Sequence, residues 1–299
     1  IEKLVKYLGA STGSLYLYNP MEEENPVLKL TATFAYDRRK YLDAAIRIAE
    51  TYARLQRDDG TWPMLIHRET GAAAKPHLLI PSRILLFLDR FESEFDIQRF
   101  RPVKEKAFQW IMDNPMQDYN WQAQFDDTRP QSAYKNMSRH EATQIAFYIF
   151  THFDTADMLD KADELLRFIE DGFVVWSKDD LVASTNWFKP GSHWSAVNEQ
   201  GESDWFTPGV LEQYKFYTPI NGASARLIRA YMAGYEKTGR ELYHAKAVAL
   251  ANALTRAQDY HGGGVIPTHL RKNLPEENWI NSCVNTAIAL IEYADVLER

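Results

Sequence analysis

Apolar positions recur at helical spacing over most of this chain, separated by polar connections rich in glycine and tryptophan. Residues 41–57 place Tyr41, Ala45, Ile48, Ala49, Tyr52 and Leu55 on one face. Residues 243–258 place Tyr243, Ala247, Leu250, Ala251 and Leu254 on an equivalent face. Both patterns predict amphipathic helices. The same reading predicts helices over 77–92, 101–113, 137–152, 156–170, 220–236 and 279–297. Pro102 suits a first helical turn, and Ser138 and Glu141 have the spacing of a capping box. Residues 1–8 read as the remnant or start of another helix, and 9–36 as loop with one short strand over 27–34.

The first two segments align without a gap. Tyr41 matches Tyr243, Ala45 matches Ala247, Ala49 matches Ala251, Arg54 matches Arg256, Gln56 matches Gln258, Gly60 matches Gly262 and His67 matches His269. Apolar periodicity alone aligns any two helices, but the shared Arg, Gln, Gly and His go beyond it and mark an internal repeat. The helices then pair as hairpins: 41–57 with 77–92, 101–113 with 137–152, 156–170 with 220–236, and 243–258 with 279–297. In each pair the second helix is the more apolar all round, as an inner helix buried on both sides would be. Stacked hairpins bury a continuous core, and closing the stack into a ring removes its unpaired ends. The expected fold is therefore all-α, an α/α toroid (barrel) of repeated helical hairpins with long loops gathered at one end. Residues 1–299 are expected to form a single domain, with 1–37 an irregular N-terminal segment and 38–299 the repeats. The site is expected where the loops converge, beside the N-termini of the second helices.

Composition narrows the function. With 299 residues, 45% of them hydrophobic, the chain can fill one large core. A net charge of −7 argues against a nucleic-acid or anionic-membrane surface, either of which needs a basic face. No apolar run approaches the ~20 residues of a membrane span. Cys283 stands alone, which excludes an internal disulfide and multi-thiolate zinc sites, and its apolar helical setting predicts a buried structural thiol. No histidine pair has metal-ligand spacing, and the glycines at 262–264 lack the following Lys-Ser/Thr of a phosphate-cradling loop. No metal and no cofactor is expected. The chain begins at Ile1 without a charged-then-apolar leader, which reads as a leader already removed or a trimmed chain. Secretion or a periplasmic location would follow from the former, and localisation stays open.

Residues 55–63, LQRDDGTWP, set Gln56, Gly60 and Trp62 in a Gln…Gly-x-Trp pattern. This resembles the turn between helices of α/α toroids, among them terpenoid cyclases, pectate-lyase-like enzymes and six-hairpin glycosidases. Glycine permits the positive φ that ends a helix, while Gln and Trp can pin the next hairpin. The chain resembles squalene-type cyclases in fold only, because their Asp-x-Asp-Asp acid is missing. The zinc site of protein prenyltransferases would need a cysteine, and only Cys283, inside a helix, is offered. The chain is more similar to carbohydrate-active toroids, six-hairpin glycosidase-like or polysaccharide-lyase-like. Their sites combine aromatic platforms with carboxylates, His, Tyr and Arg. The resemblance covers most of residues 38–299 at the level of the hairpin plan. It implies an enzyme that cleaves glycosidic bonds, as a hydrolase or as a lyase on an acidic polysaccharide, with an oligo- or polysaccharide as its partner.

The loops supply the candidate chemistry. Asp126 and Asp127 lie close to Trp121 and Phe125. A carboxyl beside aromatics can be raised by desolvation and serve as a general acid, and either aspartate could instead cap a turn before Pro130. Arg139 and His140 open a helix, whose N-terminus favours anions such as a uronate carboxylate, while Glu141 reads as a cap. Residues 174–222 hold Trp176, Trp187, Trp194 and Trp205, which either pack over the mouth or stack on sugar rings, with two expected to do each. The same stretch carries His193, Asp204, Glu212, Tyr214 and Tyr217. Elimination needs a base, Tyr217 or His193, and a carboxylate neutraliser, Arg139 or Asn221. Hydrolysis needs two carboxyl groups, Asp127 and Glu212. The catalytic candidates are thus Asp127, Glu212, Tyr217 and His193. The substrate-binding candidates are Trp62, Trp121, Arg139, His140, Trp194, Trp205 and Asn221. The equivalent His67 and His269 are expected to be structural.

Two other readings compete. A glycan-binding toroid without catalysis would depend on the loop tryptophans alone. A terpenoid-cyclase-like enzyme would need a greasy cavity without polar groups at its mouth. The residues leave open the sugar, the linkage, the choice between hydrolysis and elimination, the oligomeric state and whether an N-terminal segment is missing.

Overall fold

The computed structural model describes residues 12–18, 28–35, 38–74, 78–121, 141–177, 197, 199–213, 216–262, 264, 266–272 and 279–297. The chain divides into two compact units, Ile1–Arg54 and Leu55–Arg299. The first contains an antiparallel hairpin of β1 (Thr12–Tyr18) and β2 (Leu28–Ala35), with a register slip between Leu15 and Tyr16, followed by α1 (Arg38–Leu55), whose last residue opens the second unit. The strand expected over 27–34 is β2; β1 was expected as loop. Its sequence, TGSLYLY, opens on Thr, Gly and Ser and sets Leu and Tyr on alternate positions. No polar-apolar alternation marks a face, and pairing with β2 makes it a strand.

The second unit follows with β3 (Trp62–Pro63), β4 (Leu78–Leu79), α2 (Ser82–Phe95), α3 (Arg101–Asp113) and the single turn α4 (Pro115–Asp118). Then come α5 (Ala142–His152), α6 (Ala156–Phe173), β5 (Val174–Val175), β6 (Gly209–Gln213), β7 (Phe216–Pro219), α7 (Asn221–Thr238), α8 (Glu241–His261) and α9 (Ile280–Leu297). Among the described residues, the eight long helices are those the apolar periodicity predicts, displaced by a few residues at their ends. One displacement has a clear cause. The helix expected from residue 77 starts at Ser82, because Leu78 and Leu79 pair with Trp62 and Pro63, and Pro81 then sits just ahead of the first turn.

The helices pack in two layers. In one, α2 meets α5, α5 meets α7 and α7 meets α9; in the other, α3 backs α2, α6 backs α5 and α8 backs α7. The sequence contrast between first and second helices is the cause. On α8, Tyr243, Ala247, Leu250, Ala251 and Leu254 are buried on one face and the opposite face is wet. On α7, every residue from Asn221 to Ala225 and from Ala230 to Gly234 is buried, because neighbours cover it on three sides. Its small residues permit that closeness. A Cβ on Gly234 would lie 3.0 Å from the Tyr243 ring and 3.1 Å from that of Phe150. The small sheet, in the order β5-β6-β7, lays β6 against α6 and α7 and delivers the chain directly into the N-terminus of α7.

The Gln…Gly-x-Trp turn does what its chemistry suggests. Gly60 adopts φ +93°, and Gln56 Nε2 donates to the Gly60 carbonyl at 3.1 Å and to the Val103 carbonyl at 2.9 Å, tying the turn to the start of α3. In the repeat copy, Gln258 donates to the Gly264 carbonyl at 2.7 Å, and Gly262 and Gly264 have positive φ. A Cβ on Gly60 would collide with the Lys106 carbonyl. Gly60→Ala therefore meets both a disfavoured φ and backbone that cannot move aside. It is expected to cost about 2–3 kcal/mol in urea unfolding, with no change in the slope of the transition.

Candidate functional site

The N-terminal halves of α2, α5, α7 and α9 surround one cleft, a cavity of about 190 Å³. Its polar walls are Arg83, Thr143, Gln144, Arg226, Arg229 and Asn285, and its apolar patches are Leu86, Phe147 and Ile288. Each of these falls within the first nine residues of its helix. The four second helices line the cleft together, but the pairs that pack closely are α2 with α3, α5 with α6 and α7 with α8, joined by short connections, rather than the expected hairpins of 101–113 with 137–152, 156–170 with 220–236 and 243–258 with 279–297. Arg83, Thr143 and Gln144 stand in the first turns of α2 and α5, whose positive dipole ends lie beside the cleft, whereas α7 and α9 begin against residues 266–272, with the Asn221 N–H donating to the Thr268 carbonyl at 2.9 Å.

Side-chain geometry adds to that field. Arg229 donates from Nε to Glu292 at 2.6 Å and lies 4.8 Å over the Phe147 ring, so its fork is held from two directions. Arg83 reaches to 3.6 Å from Glu141, whose side chain is 6% exposed. Thr143 Oγ1, Gln144 Oε1 and Glu141 Oε2 are buried without a hydrogen-bond partner among the described residues. Helix α5 begins without a side-chain cap bond from Glu141; the proposed cap partner, Ser138, lies outside the described residues. Buried acceptors and donors left over beside a cleft are groups a polar ligand can satisfy.

Several predicted site residues take other places. Trp121 is fully buried, and Trp62 and Trp205 are each 3% exposed, so none of the three indoles offers an open ring face in this structure. Trp176 is half-buried against the core, with Lys246 Nζ 5.7 Å from its ring. Of the four tryptophans of the long loop, Trp176 and Trp205 pack; Trp187 and Trp194 lie outside the described residues, as do Asp126, Asp127, Arg139, His140, His193 and Tyr214.

Asn221 is fully buried at the first turn of α7. It accepts from Ser282 Oγ at 2.5 Å and donates to the Ile266 carbonyl at 3.3 Å, which commits its amide to joining α7, α9 and the 266–272 segment. Cys283 is half-buried rather than fully buried, and its thiol points at the same Ile266 carbonyl, 3.4 Å away. Glu212 is half-buried on β6, and the backbone of Tyr217 lies on the adjacent β7. Glu212, Tyr217 and Asn221 thus follow one another along β6, β7 and the start of α7, and none of them lines the cleft. Asp204 is bound by Arg271 at 3.0 Å, both nearly buried, so it serves as a structural anion. His269 is 4% exposed and bridges Ile220, whereas the equivalent His67 is exposed.

Two networks lie away from the cleft. Lys104 joins Asp89 at 2.9 Å and Glu92 at 2.7 Å, and the His152 ring stands 3.1 Å from Asp89. Burial pushes the Asp89 carboxyl up, but the bonds from His152 and Lys104 outweigh it and hold it below the usual carboxylate range. Glu170 accepts from Tyr231 at 2.6 Å and from Lys246 at 2.6 Å. Burial, with Glu170 close by, raises the Tyr231 phenol well above its ordinary value. Burial and the bond to Asp163 push Tyr243 up to about 12. These phenols stay protonated and act as fixed donors in the core.

The cleft arginines lie on helices, outside the loops that carry the candidate chemistry in the sequence. A signal existed. Arg226 and Arg229 share one face at i, i+3 spacing inside an otherwise small and apolar helix, and Thr143-Gln144 interrupt the apolar run of α5. Among the described residues no helix is long and apolar enough to cross a membrane.

No protein-family profile matches the sequence, and no characterised protein matches it by sequence. Solved structures that it resembles include a D-mannose isomerase, at 11% identity and TM-score 0.47, covering 79% of this chain and 57% of the isomerase. A family 76 glycoside hydrolase (mannosidase) from Bacteroides thetaiotaomicron is 13% identical at TM-score 0.38, covering 73% of this chain and 70% of that one. A family 76 α-1,6-mannanase from Salegentibacter sp. HEL1_6 is 11% identical at TM-score 0.39, covering 85% and 86%. The chain spans little more than half the length of the isomerase.

Proposed function

We propose that this chain is a carbohydrate-active enzyme that cleaves glycosidic bonds, with its substrate seated in the cleft between α2, α5, α7 and α9. The observation that supports it is the make-up of that cleft. Hydrogen-bonding side chains and guanidinium groups alternate with Leu86, Phe147 and Ile288. Sugars have the same division, with hydroxyls around the rim and apolar C–H faces. A hydrocarbon substrate would face three arginines, which speaks against a terpenoid-cyclase-like reading. In this reading the two helical layers curve into a closed α/α toroid, and the long loops surround its mouth.

Chain order links the loop candidates to the cleft. Arg139 and His140 immediately precede Glu141 and the first turn of α5, and Tyr217 precedes α7 by four residues. Elimination would use Tyr217 or His193 as base and Arg139 as neutraliser; hydrolysis would use Asp127 and Glu212 as the carboxyl pair. Trp194 would supply a stacking surface.

The test is a panel of neutral and acidic glycans incubated with the protein. Ultraviolet absorbance from an unsaturated uronate marks elimination; new reducing ends without it mark hydrolysis. The residue that carries the proton transfer should lose about 10²–10⁴-fold in kcat when changed singly in the set Asp127→Asn, His193→Gln, Glu212→Gln and Tyr217→Phe. Binding without turnover across the panel would replace the enzyme with a glycan-binding protein, and silence in both assays would sink the carbohydrate reading.

A further inference from the structure

We propose that the cleft selects an acidic sugar, binding one monosaccharide unit whose carboxylate or phosphate lies among Arg83, Arg226 and Arg229. This deepens the carbohydrate reading and rests on it. Three observations carry it together.

The first is charge. Three cleft residues are arginines and none is Asp or Glu, in a chain whose net charge is −7. Glu141 and Glu292 stand behind Arg83 and Arg229, where they orient the guanidinium forks without entering the cavity wall. Guanidinium is the group best shaped for a carboxylate or phosphate, since it donates two parallel hydrogen bonds. The first turns of α2 and α5, helices of 14 and 11 residues, carry Arg83, Thr143 and Gln144 and add to the field in the same direction.

The second is the unsatisfied polar groups. Thr143 is 1% exposed, lines the cleft and has a hydroxyl without a partner among the described residues; the Oε1 of Gln144 is in the same condition. An amide oxygen only accepts, so it has no use for a bare anion. A sugar hydroxyl would satisfy it while accepting from Thr143. That combination, cations for one end of the ligand and an acceptor for the other, separates an acidic sugar from inorganic phosphate.

The third is size. About 190 Å³ falls below the ~300–1,000 Å³ of pockets that enclose drug-sized ligands. One sugar ring fits that scale, and the rest of an oligosaccharide would extend out of the cleft.

The experiment is calorimetric titration of the whole chain with glucuronate, galacturonate, mannuronate, their neutral parent sugars, the corresponding sugar 6-phosphates and inorganic phosphate. At least one uronate or sugar phosphate is expected to bind about tenfold or more tighter than both its neutral parent and inorganic phosphate. Which of the two acidic classes wins identifies the anion. Arg226→Gln and Arg83→Gln should each lose about tenfold for the acidic sugar and little for the neutral one, with unchanged thermal midpoints showing that the variants fold. Thr143→Val should weaken both sugars and keep their ratio. Equal affinity for acidic and neutral sugars would overturn the inference while leaving the carbohydrate reading in place. Inorganic phosphate binding as tightly as any sugar would overturn it from the other side and remove the carbohydrate reading as well. No binding by any probe would also overturn it.

Discussion

Lys104→Met is expected to destabilise the protein by about 3–5 kcal/mol at neutral pH, the range for removing one partner of a buried ion pair. Lys104 and Asp89 are each 8% exposed, and the ammonium is shared between Asp89 at 2.9 Å and Glu92 at 2.7 Å. Methionine keeps the stem packed between α2 and α3 but leaves the Asp89 carboxylate with the His152 ring, 3.1 Å away, as its nearest remaining side-chain contact. The double variant Lys104→Met with Asp89→Leu should recover much of the loss, because the stranded charge goes with its partner. Acid supplies an independent check. Asp89 is held below its ordinary value of 3.8, so its stabilising contribution is present above that value and fades as pH falls through the lower folded one. Urea unfolding of the parent should weaken across that window, and the Lys104→Met variant should show less of the dependence.

Asn221→Ala is expected to cost about 3 kcal/mol, and to do so in stability rather than in substrate affinity. Sequence reading offered Asn221 as a carboxylate neutraliser. Its amide is instead consumed inside the protein, accepting from Ser282 and donating to the Ile266 carbonyl in a fully buried setting. Truncation strands a hydroxyl and a carbonyl, at about 1–3 kcal/mol each. It also opens a small void beside Gly222, where α7 and α9 approach so closely that an added Cβ would strike Ser282. Thermal unfolding should show the loss, and KM measured well below the transition should match the parent. A normal midpoint with a raised KM would return Asn221 to the substrate.

The helical plan was legible because burial imposes period on a helix. The face of Tyr243, Ala247, Leu250, Ala251 and Leu254 is buried as read. Gln56 and Gly60 were legible too, since a positive φ and a reaching amide leave few residue types to choose from. Strand β1 was not, because two-sided Leu and Tyr carry no alternation. The loop indoles were ambiguous for a different reason. A tryptophan in a polar connection looks the same whether it stacks on a ligand or fills the core, and only packing shows that Trp62, Trp121 and Trp205 are enclosed. The cleft arginines were hidden by a habit of reading. Polar residues on a helix are usually assigned to its wet face, yet Arg226 and Arg229 line the cleft from a helix that is buried over most of its length.

In this reading the cleft between α2, α5, α7 and α9 receives sugar. Crystals grown with an oligosaccharide drawn from the active members of the glycan panel test it most directly. The account predicts a sugar ring between Arg83 and Arg229, with Thr143 and Gln144 within hydrogen-bond distance of its hydroxyls. A ligand seated elsewhere, with the cleft holding only water, would contradict it.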